Sequence, residues 1–132
     1  MTKKSSQSLV KEALAQIKTI SSDEAKKKIN DKECNLIDLR DIRELEKNGR
    51  VENSIHIPRG MIEFWLDPKS SYFQEKKIGE LKNIVLFCAL GFRSALATKA
   101  LKEMGFKNVA NASGGFDALK NVGLEVVQKQ KK

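Results

Sequence analysis

Residues 83–101 read NIVLFCALGFRSALATKAL, and how this stretch divides decides the fold. Asn83 leads four apolar residues, Ile84 to Phe87, straight into Cys88. This is a strand of about average length. From Ser94 onward the apolar positions are Leu96, Ala97, Ala100, Leu101 and Met104, which is helical spacing, and Gly105 is a stop signal. The loop between them is CALGFR. The sequence therefore predicts a strand over 83–87, a helix over 94–104 and a thiol where one becomes the other.

Working outward, the same alternation recurs. Leu9, Val10, Ala13, Leu14 and Ile17 fall on one helical face. Ser21 followed by Glu24 has the form of a capping box, which predicts a short helix through Ile29. A strand is expected over 35–40, a short charged helix over 41–47 closed by Asn48-Gly49, and a second strand over 54–57 stopped by Pro58. A turn or two of helix is expected over 61–66, and residues 69–80 are expected to be mostly loop. Past Gly105, a short strand over 108–110, a helix over 116–121 and an extended piece over 124–127 complete the chain. Strands alternating with helices predict an α/β fold: a parallel sheet of about five strands with helices on both faces. Ligands in such sheets sit beyond the carboxyl ends of the strands, which is where Cys88 falls.

That position has chemical consequences. A cysteine between a strand end and a helix faces the helix's unpaired N–H groups, which favour an anion. The thiolate is the nucleophilic form, and helix N-termini lower thiol pKa. Gly91 permits a tight turn and Arg93 adds a permanent positive charge. CALGFR thus reads as an anion cradle around a sulfur nucleophile. The competing reading is an inert packed cysteine, for which Gly91 and Arg93 would be odd companions.

The bulk numbers narrow the function classes. The chain has 132 residues, enough for one domain with its own core. Three segments are expected: an N-terminal helical extension over 1–18, a domain over 19–127 and a basic tail over 128–132. No apolar run approaches membrane-spanning length, and the polar, interrupted N-terminus does not read as a secretory signal. A cytoplasmic protein is expected, with no membrane partner. Two cysteines and one histidine, His56, offer neither a disulfide framework nor a metal site, so no metal and no cofactor are expected. The net charge is +8, but Lys3, Lys4, Lys129, Lys131 and Lys132 lie in acid-free tails, and without them it is +3. The basic residues are not interleaved with aromatics, so no dedicated nucleic-acid binding is expected.

Two further stretches join the Cys88 loop in one order and spacing. NLIDLRDIRELEKNGRVENSIHIPRGMIEF carries Asp38 and Arg40 as an Asp-x-Arg after the first core strand, and Gly49 to Pro58 as a glycine-to-His-Ile-Pro segment. NASGGFDALKNVGLEV carries the double glycine Gly114-Gly115. Together these make most of residues 19–127 similar to a single-domain rhodanese-like sulfurtransferase. The resemblance implies that Cys88 is the catalytic nucleophile. It would take a sulfane sulfur from a donor such as thiosulfate or a mercapto acid and hold it as a persulfide. It would then yield it to a thiol or cyanide acceptor. N–H groups from Ala89, Leu90, Gly91, Phe92, Arg93 and Ser94 would stabilise the persulfide anion, and Arg93 would hold either the loop or the anionic donor. Arg59 is either a surface arginine or a guide for the donor at the site's mouth. Related cysteine-dependent phosphatases carry five residues between cysteine and arginine; here there are four, and the smaller cradle suits sulfur better than phosphate. The rival reading is a non-enzymatic sulfur carrier or protein-binding module, with a protein as sulfur donor or acceptor.

Other conspicuous residues have plainer expected roles. His56 reads as structural. Asp38 and Arg40 read as an internal pair or separate anchors, and Cys34 as an inert thiol rather than a resolving partner. Phe64 and Trp65 read as core or rim. The N-terminal helix either packs on the outside of the domain or offers a partner surface. The apolar Ala89, Leu90 and Phe92 suit a weakly charged donor or a docking protein better than a small dianion.

Overall fold

The computed structural model describes residues 3–128, so most of the expected basic tail over 128–132 lies outside the described residues. In chain order the sheet-forming elements are β1 (Lys18–Ile20), β2 (Cys34–Asp38), β3 (Arg50–Val51), β4 (Ile55–His56), β5 (Asn83–Phe87), β6 (Val109–Ala112) and β7 (Val126–Val127). The helices are α1 (Ser6–Gln16), α2 (Ser22–Asn30), α3 (Ile42–Asn48), α4 (Ile62–Leu66), α5 (Glu75–Ile78), α6 (Phe92–Met104) and α7 (Gly115–Asn121), with a 3-10 turn at Arg59–Met61.

Five strands form the central sheet in the order β1-β6-β5-β2-β4, and every pair in it is parallel. β3 and β7 pair antiparallel as a separate two-stranded ribbon. β5 is central, and its near-continuous apolar run follows from burial on both faces. Ile84, Leu86 and Cys88 join one core cluster with Ile62, Leu66, Ile78, Ala97 and Leu101. Val85 and Phe87 join the other with Ala25, Phe116 and Leu119. The first core lies under α4, α5 and α6, the second under α2 and α7, so the period-two alternation of one strand feeds two layers.

The connections explain where a ligand can enter. From β5 the chain moves outward to β6, and from β2 it moves outward to β4 on the other side. The winding direction therefore reverses between β5 and β2, and a crevice opens beyond their carboxyl ends. Cys88 follows β5 at that edge.

Several elements differ from the sequence reading. β1 begins at Lys18, inside the expected helical extension, and α1 packs against α6. The Ser21 side chain accepts the Glu24 N–H, whereas the reciprocal capping box is at Asp41–Glu44. The expected loop over 69–80 contains α5, and β6 is Val109–Ala112 rather than 108–110. The sheet places Asn111 opposite Thr19 of β1 and Leu86 of β5. Pairing on both sides carries this strand through residues with little strand propensity.

Candidate active site

The Cys88 side chain is buried, with the residue 1% exposed. Gly91 is left-handed at φ +104° and caps α6, so the chain turns back over the sulfur within three residues. The Gly91 N–H donates to Cys88 Sγ at 3.1 Å and the Ser94 N–H at 3.4 Å. The Ser94 hydroxyl lies 3.4 Å from the same sulfur. Burial pushes the thiol pKa up. Hydrogen bonds to the anionic sulfur from the N–H groups of Ser94, Gly91 and Leu90, and from the Ser94 hydroxyl when its proton is turned to the sulfur, pull it down and prevail, so it lies below the ordinary thiol value. The thiolate absorbance lost on substituting Cys88 by serine is therefore expected to titrate below the ordinary thiol range. A midpoint above that range would show that burial dominates.

The loop is closed from below by the double glycine. Phe116 N–H donates to the Cys88 carbonyl at 2.8 Å. A Cβ on Gly115 would stand 2.4 Å from the Cys88 carbonyl oxygen and 2.5 Å from that of Ala89. Only glycine allows this approach, and Gly115 also takes a positive φ of 61°. The Gly114-Gly115 pair is thus the floor of the Cys88 loop.

Arg93 starts in the first turn of α6, but its guanidinium turns to Glu44, with contacts of 2.7 and 3.0 Å. This two-pronged ion pair fixes the loop to α3. Glu44 also accepts the Asp41 N–H, so the same carboxylate caps α3 and holds Arg93. The Arg93 bond draws the Glu44 carboxyl below its usual value. Arg59 opens the 3-10 turn, its N–H donating to the Leu39 carbonyl at the carboxyl end of the sheet. Its guanidinium binds Glu63 at 3.1 Å, and among the described residues no hydrogen bond joins it to residues 88–94.

Leu90 and Phe92 are 57% and 58% exposed, an apolar rim beside a buried sulfur. The other singled-out residues lie apart. The His56 Nε2 bonds the Arg40 carbonyl at 2.7 Å. Asp38 and Arg40 pair at 2.8 Å within the core. Trp65 packs against the first core cluster, and Phe64 meets Tyr72 edge-on. Cys34 opens β2 opposite Asn83, five strand residues from Cys88. That is about 17 Å at the usual strand rise, so Cys34 does not reach the Cys88 sulfur in this fold. Among the described residues no group of three or more His, Cys, Asp or Glu side chains could hold a metal ion. Nor is any helix long and apolar enough to cross a membrane.

Two residues that the sequence reading does not single out shape the site. Glu44 anchors Arg93, and Asn111 accepts a bond from the Ser94 hydroxyl at 2.6 Å. A lone polar side chain just after the expected 108–110 strand was the only available sign of Asn111.

Comparison with known proteins identifies the family and the fold. The profile of one family, the Rhodanese-like domain, matches residues 21–122. A Bacillus subtilis protein provisionally named a sulfur carrier protein is 31% identical over 106 residues, which is 80% of this chain and 52% of the relative. A Schizosaccharomyces pombe protein provisionally named a mitochondrial thiosulfate sulfurtransferase is 34% identical over 97 residues, 70% of this chain and 67% of the relative. This chain therefore spans about half to two thirds of these relatives. Among solved structures, the polysulfide-sulfur transferase homodimer of Wolinella succinogenes has a TM-score of 0.70 at 35% identity, covering 92% of this chain and 85% of that one. A Rhodopseudomonas palustris protein of unknown function, described as a possible tyrosine phosphatase, has a TM-score of 0.87 at 35% identity, covering 96% and 97%.

Proposed function

The chain belongs to the rhodanese-like domain family, and from that premise we propose that it is a sulfurtransferase working through a persulfide on Cys88. The observation that carries this reading is the sulfur itself, buried at the end of β5 under inward-pointing N–H groups and a hydroxyl. In the first half-reaction the Cys88 thiolate attacks the outer sulfur of thiosulfate or a comparable donor. The donor's sulfur–sulfur bond breaks and sulfite leaves with the electron pair. The persulfide anion that remains takes the N–H donors the thiolate had. In the second, a thiolate or cyanide attacks the outer sulfur and Cys88 leaves as thiolate. Neither step needs a proton shuttle once the thiolate is formed.

The loop residues divide the work. Backbone groups of Ala89 through Ser94 shape and line the cradle. Arg93, its charge paired with Glu44, holds it in place, and Arg59 at the same edge draws in an anionic donor. The six-residue loop from Cys88 to Arg93 is small for a bound phosphate, which weighs against phosphatase chemistry. The test is intact-mass measurement of the protein incubated with thiosulfate, then with cyanide or a thiol. Gain of one sulfur atom, lost on adding the acceptor, is the expected result. No gain with thiosulfate or with 3-mercaptopyruvate would overturn the free-standing enzyme reading.

One observation favours a weakly charged donor or a docking protein over a small dianion. Leu90 and Phe92 stand exposed on the rim, where a small dianion makes no use of them and an apolar donor or a protein surface does. Changing both to serine is expected to shift the rate ratio between an apolar donor and thiosulfate by about tenfold or more toward thiosulfate. Unchanged relative rates across donors would remove the rim from the account of specificity.

A further inference from the structure

The Ser94 hydroxyl stands between two acceptors. Its Oγ lies 2.6 Å from Asn111 Oδ1 and 3.4 Å from Cys88 Sγ. A hydroxyl has one proton, and a carbonyl oxygen only accepts, so Ser94 donates to Asn111 in this arrangement. With Cys88 as a thiol the chain is consistent: S–H donates to Ser94, and Ser94 donates to Asn111. An anionic sulfur has no proton to give. The Ser94 lone pairs then face a negative charge unless the hydroxyl turns, and turning strands the Asn111 carbonyl. Both residues are buried, Ser94 at 0% and Asn111 at 2% exposure, so water does not readily replace the lost partner.

Neither residue is free to drift away from this conflict. Asn111 is paired into β6 between β1 and β5. Ser94 sits in the first turn of α6, and its carbonyl accepts the Thr98 hydroxyl at 2.7 Å. We propose that Asn111 is a positioning residue that competes with the Cys88 sulfur for the single proton of the Ser94 hydroxyl, and so sets how tightly the anionic sulfur is held. Its catalytic consequence rests on the sulfur-transfer reading. A less tightly held thiolate attacks the donor faster but leaves more slowly in the second half-reaction. Asn111 therefore shifts the balance toward loading.

The charged groups on the elements packed around the loop are Arg93 of α6, paired with Glu44 of α3, and, farther off at the end of β2 beside β5, the Asp38–Arg40 pair. None of the four is bonded to Asn111, so changing that neutral residue removes no charge from the surroundings of the sulfur. The experiment is a pH titration of the thiolate absorbance of Cys88. Asn111→Leu is expected to lower the midpoint by about one pH unit, the worth of one added hydrogen bond to an anion. In a Ser94→Ala background the same change is expected to move nothing. Asn111→Asp, which restores the acceptor, is expected to bring the midpoint back to the parent value or above. A midpoint unchanged or raised by Asn111→Leu overturns the proposal. A rise would mean that the amide presents Nδ2 to Ser94 and drives its proton toward the sulfur. An equal fall without the Ser94 hydroxyl also overturns it. If circular dichroism shows Asn111→Leu unfolded, Asn111→Ala is measured instead, since Ala110 and Ala112 already occupy the same strand. The titration reads the sulfur's charge whether or not any donor turns over, so failure of the transfer reading leaves this test standing.

Discussion

Cys88→Ser is expected to keep the fold and lose sulfur uptake, by roughly four orders of magnitude or more in transfer rate. A serine oxygen cannot form the sulfur–sulfur bond on which both half-reactions depend. It can still accept the Gly91 N–H that now reaches Sγ at 3.1 Å, so the loop keeps one of its ties. The midpoint of denaturant unfolding should move little. Cys34 will not substitute. It lies at the amino end of β2, at the far end of the sheet from the loop, and burial raises its thiol pKa where the cradle lowers that of Cys88. Mass measurement after thiosulfate treatment should therefore show no added sulfur in the variant. Sulfur retained on Cys34, or turnover close to the parent's, would sink the assignment of Cys88 as nucleophile.

The part of the molecule that this variant probes is also the part the sequence states most clearly. β5 occupies the residues read from its apolar run, and the turn from Phe87 through Cys88 into α6 is local. A few adjacent residues specify it, so spacing alone exposes it. The start of α6 was less legible. Phe92 is an exposed hydrophobe outside the apolar stripe, and only the left-handed Gly91 marks the helix as beginning there. The weak elements were not legible for a different reason. β1 is only three residues, too short for β-branched Thr19 and Ile20 to announce a strand, and it becomes one because β6 offers it a ladder. The β3–β7 ribbon joins Val51 to Val126, and no local pattern announces a pairing at that separation.

The same distinction divides the candidate site. Cys88, Gly91 and Ser94 are within seven residues of one another and could be read together. Glu44 meets Arg93 across 49 residues and Asn111 meets Ser94 across 17, so both contacts exist only once the sheet has formed. Arg93 shows how this matters. From the loop alone its charge reads as available to the sulfur or an anionic donor. In the fold its guanidinium is engaged by a carboxylate, and its clearest structural task is to hold the loop.

Arg40→Ala is expected to destabilise the fold by about 3–5 kcal/mol, the usual cost of removing one member of a buried ion pair. Asp38 and Arg40 are 0% and 1% exposed, so neither charge has recourse to water. The Arg40 guanidinium bonds both Asp38 oxygens, donates to the Gly49 carbonyl at 2.9 Å and lies 4.0 Å over the Phe116 ring. One side chain thus joins the end of β2, the turn after α3 and the start of α7. Truncation leaves the Asp38 carboxylate with the backbone N–H of residue 40 as its remaining partner in this set. It also opens a gap against Phe116, adding the cost of lost packing. Because Phe116 anchors the Cys88 carbonyl, sulfur loading should fall with stability even though neither charge touches the sulfur. Denaturant unfolding of Arg40→Ala, Asp38→Leu and the double variant Asp38→Leu/Arg40→Met separates the terms. The double variant should recover much of the loss, since it removes the stranded charge and fills the space. If Arg40→Ala costs less than about 1 kcal/mol, the range of an exposed ion pair, the buried pair is not the keystone of this edge.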